Sequence, residues 1–154
     1  MLEITPELLE ASLSEALEIM AFITGMRAQQ PESPQGPLIA TRIDYTGVLT
    51  GRMELVCPRR LGAILVANLL GCDPDSPEAN DRAPDALGEL GNITCGAVLK
   101  RTNATELGLI EMTVPAQQPF ETEKWPELIS SGALIFEAES CLIALACTGE
   151  PKSK

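Results

Sequence analysis

The pattern of apolar and polar positions predicts three helices. In each of them apolar residues recur three and four positions apart, as they do on one face of an α-helix. The three segments are residues 6–26, 59–70 and 81–102. Thr5 before Pro6 predicts the start of the first helix. Asn80 or Asp81 as the N-cap, with Pro84 in the first turn, predicts the start of the third.

Apolar runs between turn residues predict the strands. The segment 38–57 is expected to form a hairpin that turns at Thr46 and Gly47 and ends at Pro58. Further strands are expected over residues 108–114, 133–139 and 141–148, whereas residues 117–123 are ambiguous, with an edge strand as one option. Loops or turns are predicted at residues 29–37, 71–84 and 125–126. This order predicts an α+β domain, an antiparallel sheet with helices packed on one face. Residues 1–150 are expected to form this single domain, and residues 151–154 a frayed tail.

The third predicted helix has two unlike faces. Its apolar face carries Leu87, Leu90, Thr94, Ala97 and Val98. Opposite them, Asp85, Glu89, Asn92 and Gly96 fall within an arc of roughly 60°. Gly88, Gly91 and Gly96 each cost a helix about 1 kcal/mol relative to alanine, and asparagine is also a poor helix former. Gly91 leans toward the apolar face, where it would let another element pack closely. Gly88 and Gly96 flank the carboxylate and the amide, so the polar face is a candidate binding site.

Composition excludes most familiar catalytic sites. The chain has no histidine, which removes Ser-His-Asp and Cys-His nucleophile pairs and most zinc sites. Its five cysteines are odd in number and form no CxxC motif, so free, mostly buried thiols are expected. Glycine-rich phosphate loops of the GxxxxGK[ST] or GxGxxG type are also missing. Any chemistry must therefore come from carboxylates, amides, hydroxyls or amines.

The charge balance argues against two classes of partner. The chain has 22 acidic and 11 basic residues, a formal net charge of −11. Nucleic acids and anionic membranes both require a basic surface. The acidic N-terminal segment lacks the basic region of a signal peptide, and no uncharged apolar run approaches the eighteen or so residues of a spanning helix. These features predict a cytoplasmic protein.

An internal echo relates the first and third helices. Residues 15–24, EALEIMAFIT, align with residues 85–94, DALGELGNIT, and share Ala, Leu, Ile and Thr in ten positions. The echo suggests duplication into pseudo-two-fold halves, with an accidental match between Ala/Leu helices as the alternative. In this alignment Ile19 and Phe22 occupy the positions of Glu89 and Asn92.

The spacing Asp85-x3-Glu89-x2-Asn92-x22-Pro115 resembles the signature of the CheX/CheC/FliY chemotaxis phosphatases. That signature is Asp or Ser, x3, Glu, x2, Asn, x22, Pro, and all four positions agree. The surroundings also resemble CheX: a hairpin similar to GVLTGRMELVCP, a short helix ending in LLG, and DALGELGNITCGAVL after an acidic loop. A single Glu/Asn helix resembles CheX more than CheC, which carries two.

The resemblance implies hydrolysis of the phospho-aspartate on a receiver-domain response regulator of the CheY type. Asn92 would enter the regulator's site and orient the attacking water, and Glu89 would pair with the regulator's active-site lysine. Asp85, Gly88 and Gly96 would contribute to the docking surface. Magnesium would belong to the regulator, so no cofactor is expected in this chain. The resemblance also implies a homodimer.

The residue chemistry agrees with this implication. An amide both donates to and accepts from water without ionising, and hydrolysis of an acyl phosphate depends mainly on positioning. A separation of three residues places both side chains on one helix face.

Several alternatives remain open. The polar face could be an ordinary solvated surface. Pro115 is expected to terminate a strand rather than to contact a partner. Cys95, beside the polar face, is expected to be incidental and not a nucleophile. Arg59 and Arg60 either dock an acidic partner or form the solvated start of a helix. At the level of function, the rivals are a non-catalytic receiver-binding or flagellar-switch module resembling FliY, and an unrelated structural domain.

Overall fold

The first helix ends earlier than its apolar periodicity predicts. A computed structural model describes residues 3–28 and 32–151, and its helix α1 spans Pro6–Ala21. The helix begins as predicted, because Thr5 Oγ1 accepts a hydrogen bond from the Leu8 N–H at 3.1 Å. It stops at Phe22, whose left-handed conformation (φ 57°) lets its N–H reach back to the last turn. Residues 22–26, which the periodicity predicts to be helical, are therefore outside the helix, and strand β1 (Gly25–Arg27) begins among them.

The remaining elements follow the predicted order with three additions, two short helices and a two-residue strand near the C-terminus. In chain order they are β2 (Leu38–Gly47), β3 (Leu49–Pro58), α2 (Arg59–Leu70), α3 (Pro77–Arg101), α4 (Ala104–Leu107), β4 (Ile110–Met112), β5 (Ala116–Phe120), α5 (Trp125–Ser130), β6 (Leu134–Ala138), β7 (Cys141–Cys147) and β8 (Glu150–Pro151). The hairpin of β2 and β3 is confirmed, although Tyr45 pairs with Gly51 and the turn is centred on Val48. In the ambiguous segment, residues 117–120 belong to the edge strand β5, whereas a 3-10 turn begins at Thr122. The turn predicted at Trp125 is wrong, because a short helix begins there.

The strands form one antiparallel sheet, which confirms the α+β class. The strand order is β1-β6-β7-β3-β2-β4, with β5 also paired to β2 and β8 to β3. Alternate side chains of the sheet point toward α1, α2 and α3 and form the main core. On the opposite face, the fully buried Trp125 of α5 packs in a smaller core with Leu38, Ala40 and Val56.

Helix α3 is longer than predicted at its N-terminal end. Ser76 is its N-cap and accepts a hydrogen bond from the Ala79 N–H, and Pro77 occupies the first turn. The predicted loop over residues 71–84 is therefore wrong from Pro77 onward, and Pro84 lies inside the helix. Proline has no N–H to bind the carbonyl four residues earlier. That carbonyl, of Asn80, instead accepts a hydrogen bond from Arg59 Nη2 at 2.6 Å.

Two glycines set how closely α3 is packed. A Cβ at Gly91 would lie 2.8 Å from Thr41 Cγ2 on β2, as expected for a close approach of the helix to the sheet. A Cβ at Gly62 of α2 would collide with the carbonyl oxygen of Ala83 in α3. The missing side chains thus allow α3 to sit tightly against both the sheet and α2, which fixes the orientation of its polar face.

The topology confirms the internal pseudo-two-fold relation. Each half consists of a long helix, a short edge segment and a hairpin: α1, β1, β2 and β3 in the first, and α3, β4 with β5, β6 and β7 in the second. Each edge segment pairs with the hairpin of the other half, β1 with β6 and β5 with β2, and β3 pairs with β7 at the centre. Exchanging the two halves gives the same strand order, read from the other edge of the sheet. Helices α1 and α3 pack against each other, and an ion pair of 3.2 Å joins Glu15 to Arg101.

Near the C-terminus, Glu150 and Pro151 pair with Thr50 and Leu49 of β3, so the last described residues extend the sheet. The predicted frayed tail otherwise lies at residues 152–154, outside the described part of the chain. Among the described residues, none of the helices combines the length and apolar character needed to span a bilayer.

Candidate functional site

The polar face of α3 is exposed, and its functional candidates are free of internal partners. Asp85, Glu89 and Asn92 are exposed, whereas Leu87 and Leu90 between them are fully buried. Within residues 3–28 and 32–151, the side chains of Asp85, Glu89 and Asn92 make no hydrogen bond or ion pair. The carboxylates and the amide are therefore available to an external group.

All four residues of the spacing pattern line one groove. This groove has a volume of about 270 Å³. We call it the signature groove, and it is lined by Asp85, Gly88, Glu89, Asn92, Val114, Pro115 and Gln117. The twenty-two residues between Asn92 and Pro115 thus carry the chain from α3 round to the edge of the sheet and back to the same helix face.

An interruption in the edge strand brings Pro115 to α3. Met112 pairs with Tyr45 of β2, and Ala116 pairs with Arg42. Three residues, 113–115, separate Met112 from Ala116, whereas only two, 43–44, separate their partners. The edge strand is therefore bulged by one residue. Thr113 holds the bulge in place, because its N–H donates to the Asp44 carbonyl and its Oγ1 accepts from the Asp44 N–H, both at 2.9 Å. Pro115 is the last residue of this break between β4 and β5, and it also lines the groove.

The two glycines that flank Glu89 and Asn92 have different surroundings. Gly88 is buried, and a Cβ on it would collide with the side-chain nitrogen of Gln117. Gly96 is half-buried, and a Cβ on it would meet no atom within 4 Å. Gly88 therefore makes room for Gln117, and Gly96 leaves the helix surface bare. The contact of Gly88 and Gly96 with a partner stays a prediction.

Cys95 lies one turn after Asn92 but does not face the groove. Its side chain is fully buried, and burial raises the pKa of its thiol to about 12. A thiol with this pKa has almost no thiolate at neutral pH and is a poor nucleophile. Among the described residues, no cluster of three or more acidic or cysteine side chains is arranged to hold a metal ion.

Sequence reasoning missed two residues of the groove, Val114 and Gln117. Val114 is 85% exposed, which makes it an apolar side chain facing solvent beside Glu89 and Asn92. Gln117 pairs with Thr41, whose side chain contacts α3, so Gln117 lies on the helix side of the sheet. The alternation of β5 could have placed Gln117, had that strand been assigned. The exposure of Val114 depends on the bulge, for which the sequence offers no clear signal.

Comparison with known families identifies a match over the central part of the chain. The family model described as "Chemotaxis phosphatase CheX" matches residues 39–117, just over half of the chain. The matched segment includes Asp85, Glu89, Asn92 and Pro115. No curated protein sequence is significantly similar to the chain.

Solved structures share the fold over nearly the whole chain. A chain of the CheX–CheY–BeF3–Mg²⁺ complex from Borrelia burgdorferi has 18% identity and a TM-score of 0.64, over 96% of this chain and 99% of that one. CheX from Vibrio vulnificus has 20% identity and a TM-score of 0.64, over 92% and 95%. FliY from Thermotoga maritima has 15% identity and a TM-score of 0.57, over 90% and 86%. At these identities the likeness establishes the architecture alone.

Proposed function

The chain belongs to the CheX family of chemotaxis phosphatases, and from this premise we propose that it hydrolyses the phospho-aspartate of a CheY-type response regulator. The observation that carries the proposal is the signature groove. In it, an exposed carboxylate and an exposed amide stand one turn apart, and no described residue of the chain binds either of them. The CheX–CheY complex from Borrelia burgdorferi supports the choice of partner.

Asn92 is proposed to position the nucleophile. Its amide can accept a hydrogen bond from a water molecule and donate another without changing charge. The water oxygen attacks phosphorus in line with the bond to the aspartyl oxygen, which leaves as a carboxylate while inorganic phosphate is released. Fixing water in this geometry supplies much of the acceleration in phosphoryl transfer, so the reaction needs neither a histidine nor a nucleophilic cysteine from this chain.

Glu89 is proposed to fix the regulator in register. Paired with the lysine of the regulator's active site, its carboxylate would hold α3 so that Asn92 reaches the phosphoryl group. Such a pair gains strength where the interface excludes water. Asp85, one turn earlier, adds negative charge to the same contact. The magnesium ion is proposed to belong to the regulator.

Turnover of a phosphorylated receiver domain tests this function. The receiver is phosphorylated with a small-molecule donor and kept in large excess over the protein, and release of inorganic phosphate is followed with time. We expect wild-type protein to shorten the lifetime of the phospho-receiver over many turnovers. The Asn92→Ala variant should lose this activity while binding a beryllofluoride-activated receiver as tightly as wild type.

Two results would overturn the proposal in different ways. Tight binding by wild-type protein without any change in lifetime would indicate a non-catalytic receiver-binding module. Absence of binding to phosphorylated and beryllofluoride-activated receivers would indicate an unrelated structural role.

A further inference from the structure

Asp85 and Glu89 also line a second groove, on the opposite side of α3 from Pro115. This groove has a volume of about 320 Å³ and lies between α3 and the C-terminal ends of α1 and α2. Its floor is apolar and consists of the buried residues Met20, Val66 and Ala86. Its outer rim is formed by Leu69 and Leu70, and Arg82 of α3 also lines it. We call it the leucine groove. Glu89 therefore stands on a ridge between two concave surfaces.

The rim leucines are exposed because of the way α2 ends. Gly71 adopts a left-handed conformation (φ 72°) and turns the chain away immediately after Leu70. No residue in the described part of the chain covers this last turn, and Leu69 and Leu70 are 53% and 51% exposed. Two adjacent half-exposed leucines above an apolar floor form an apolar surface, and its burial by a partner would be favourable.

We propose that the leucine groove is the second half of the docking surface and receives an aliphatic side chain of the same receiver domain whose lysine pairs with Glu89. This inference rests on the proposed function and adds a binding site to it. Glu89 and Asp85 line both grooves. A partner that binds the signature groove and covers Glu89 therefore also lies next to the rim leucines.

The charges favour a receiver over a second copy of this chain as the occupant. The ridge between the grooves presents two carboxylates, and the one cation in the lining of the leucine groove, Arg82, is paired with Glu78 at 3.7 Å. The whole chain has a formal net charge of −11. A second copy would bring the same negative charge to the ridge, whereas a partner with a lysine at this point is attracted to it. The aliphatic contact would also exclude water from the lysine–Glu89 pair, as the apolar surroundings of interface hot spots do.

Replacement of the rim leucines tests the inference by binding alone. Leu69→Ser and Leu70→Ser are compared with wild-type protein for the dissociation constant of a beryllofluoride-activated receiver, measured by titration calorimetry. Each should raise the dissociation constant about fivefold or more, as expected for an anchor at an interface. Leu107→Ser is the matched control, because Leu107 is also a helical leucine, 65% exposed, and lies in α4 outside both grooves. It should bind like wild type.

The outcomes separate this inference from the phosphatase function. Dissociation constants within twofold of wild type for both rim variants would overturn the leucine groove, and loss of hydrolysis by Asn92→Ala would still support the function. An equal effect of Leu107→Ser would overturn it as well. Weakened binding by the rim variants alone supports the groove even if wild-type protein binds without hydrolysis. Absence of receiver binding by wild type would remove both proposals.

Discussion

At the scale of single residues, the candidate site is separable from the stability of the fold. Asn92 occupies the middle of α3, where asparagine costs about 0.5 kcal/mol relative to alanine, and its side chain has no partner among the described residues. Glu89 is exposed in the same way. Substitutions at these two positions therefore report on the contact with a partner without the loss of core packing that complicates most mutational tests.

The thiol of Cys95 gives a prediction at the same scale. Its pKa is raised by burial to about 12, so at pH 8 only about one thiol in ten thousand is ionised. We expect iodoacetamide at pH 8 to leave Cys95 of the folded protein unmodified and to alkylate the half-exposed Cys72 first. Mass spectrometry of proteolytic peptides gives the two rates. Alkylation of Cys95 as fast as Cys72 would show that the side chain is accessible and reopen a role for it.

The sequence predicted the exposed part of the site better than its rim. Helical periodicity alone places Asp85, Glu89 and Asn92 on the side opposite Leu87, because a helix fixes the direction of each side chain locally. Val114 and Gln117 reach the groove only because β5 pairs with β2 and the edge strand is bulged. Those features depend on residues far apart in sequence, so no local pattern contains them.

At the scale of the elements, the packing of α3 depends on glycines whose roles differ. Gly62 of α2 is buried against the backbone of Ala83, and the backbone there cannot move aside as a side chain could. Gly96 of α3 faces open space. The same substitution is therefore expected to have opposite effects at the two positions.

Gly62→Ala should lower the free energy of unfolding by about 1–3 kcal/mol, because the added methyl group forces α2 and α3 apart. Gly96→Ala should raise it by about 0.5–1 kcal/mol through its higher helix propensity. Urea unfolding followed by circular dichroism measures both changes. Stabilisation by Gly62→Ala would contradict the close contact of α2 with α3. Weaker binding of an activated receiver by the more stable Gly96→Ala variant would support partner contact at this glycine.

Element ends were harder to predict than element types. The apolar period continues through Ile23 and Met26, but α1 ends where Phe22 turns left-handed and β1 pairs with β6. For α3, Pro84 suggested a first turn, although Ser76 and Pro77 cap the helix earlier. The proline is tolerated inside the helix because Arg59, from another helix, binds the carbonyl that it leaves free. A contact of this kind lies beyond local sequence rules.

At the scale of the whole molecule, the pseudo-two-fold halves are alike in topology and unlike in their helix faces. Ile19 and Phe22 stand where Glu89 and Asn92 stand in the second half. Helix α1 stops at Ala21, so Phe22 lies outside it, whereas α3 continues to Arg101. The first half thus lacks both the polar side chains and the helical turn that would aim them.

Grafting the polar pair onto the first half should therefore not create a second site. We expect the Ile19→Glu/Phe22→Asn double substitution to leave an Asn92→Ala protein without phosphatase activity, because residue 22 is left-handed and β1 is only three residues long. Phosphate release from a phosphorylated receiver measures this, with Asn92→Ala alone as the reference. Recovery of wild-type turnover would show that side-chain identity suffices and that the backbone at residue 22 is unimportant.

The sequence echo predicted the relation between the halves but not their interlocking. Ten aligned residues indicate that two helices are related, yet they contain no information on which strands pair. Each edge strand pairs with the hairpin of the other half, β1 with β6 and β5 with β2. These pairings place both hairpins in one sheet, which is buried under α1 and α3. The α+β class follows from element order, whereas the strand order requires the folded chain.

The most direct test of the catalytic role of Asn92 is the single-turnover rate of phospho-receiver hydrolysis with saturating Asn92→Ala protein, compared with saturating wild type. Saturation removes any difference in binding, so the rate reports only the chemistry inside the complex. If the Asn92 amide orients the attacking water, the rate should fall about 100-fold or to the intrinsic decay of the receiver. A rate within twofold of wild type would contradict that role.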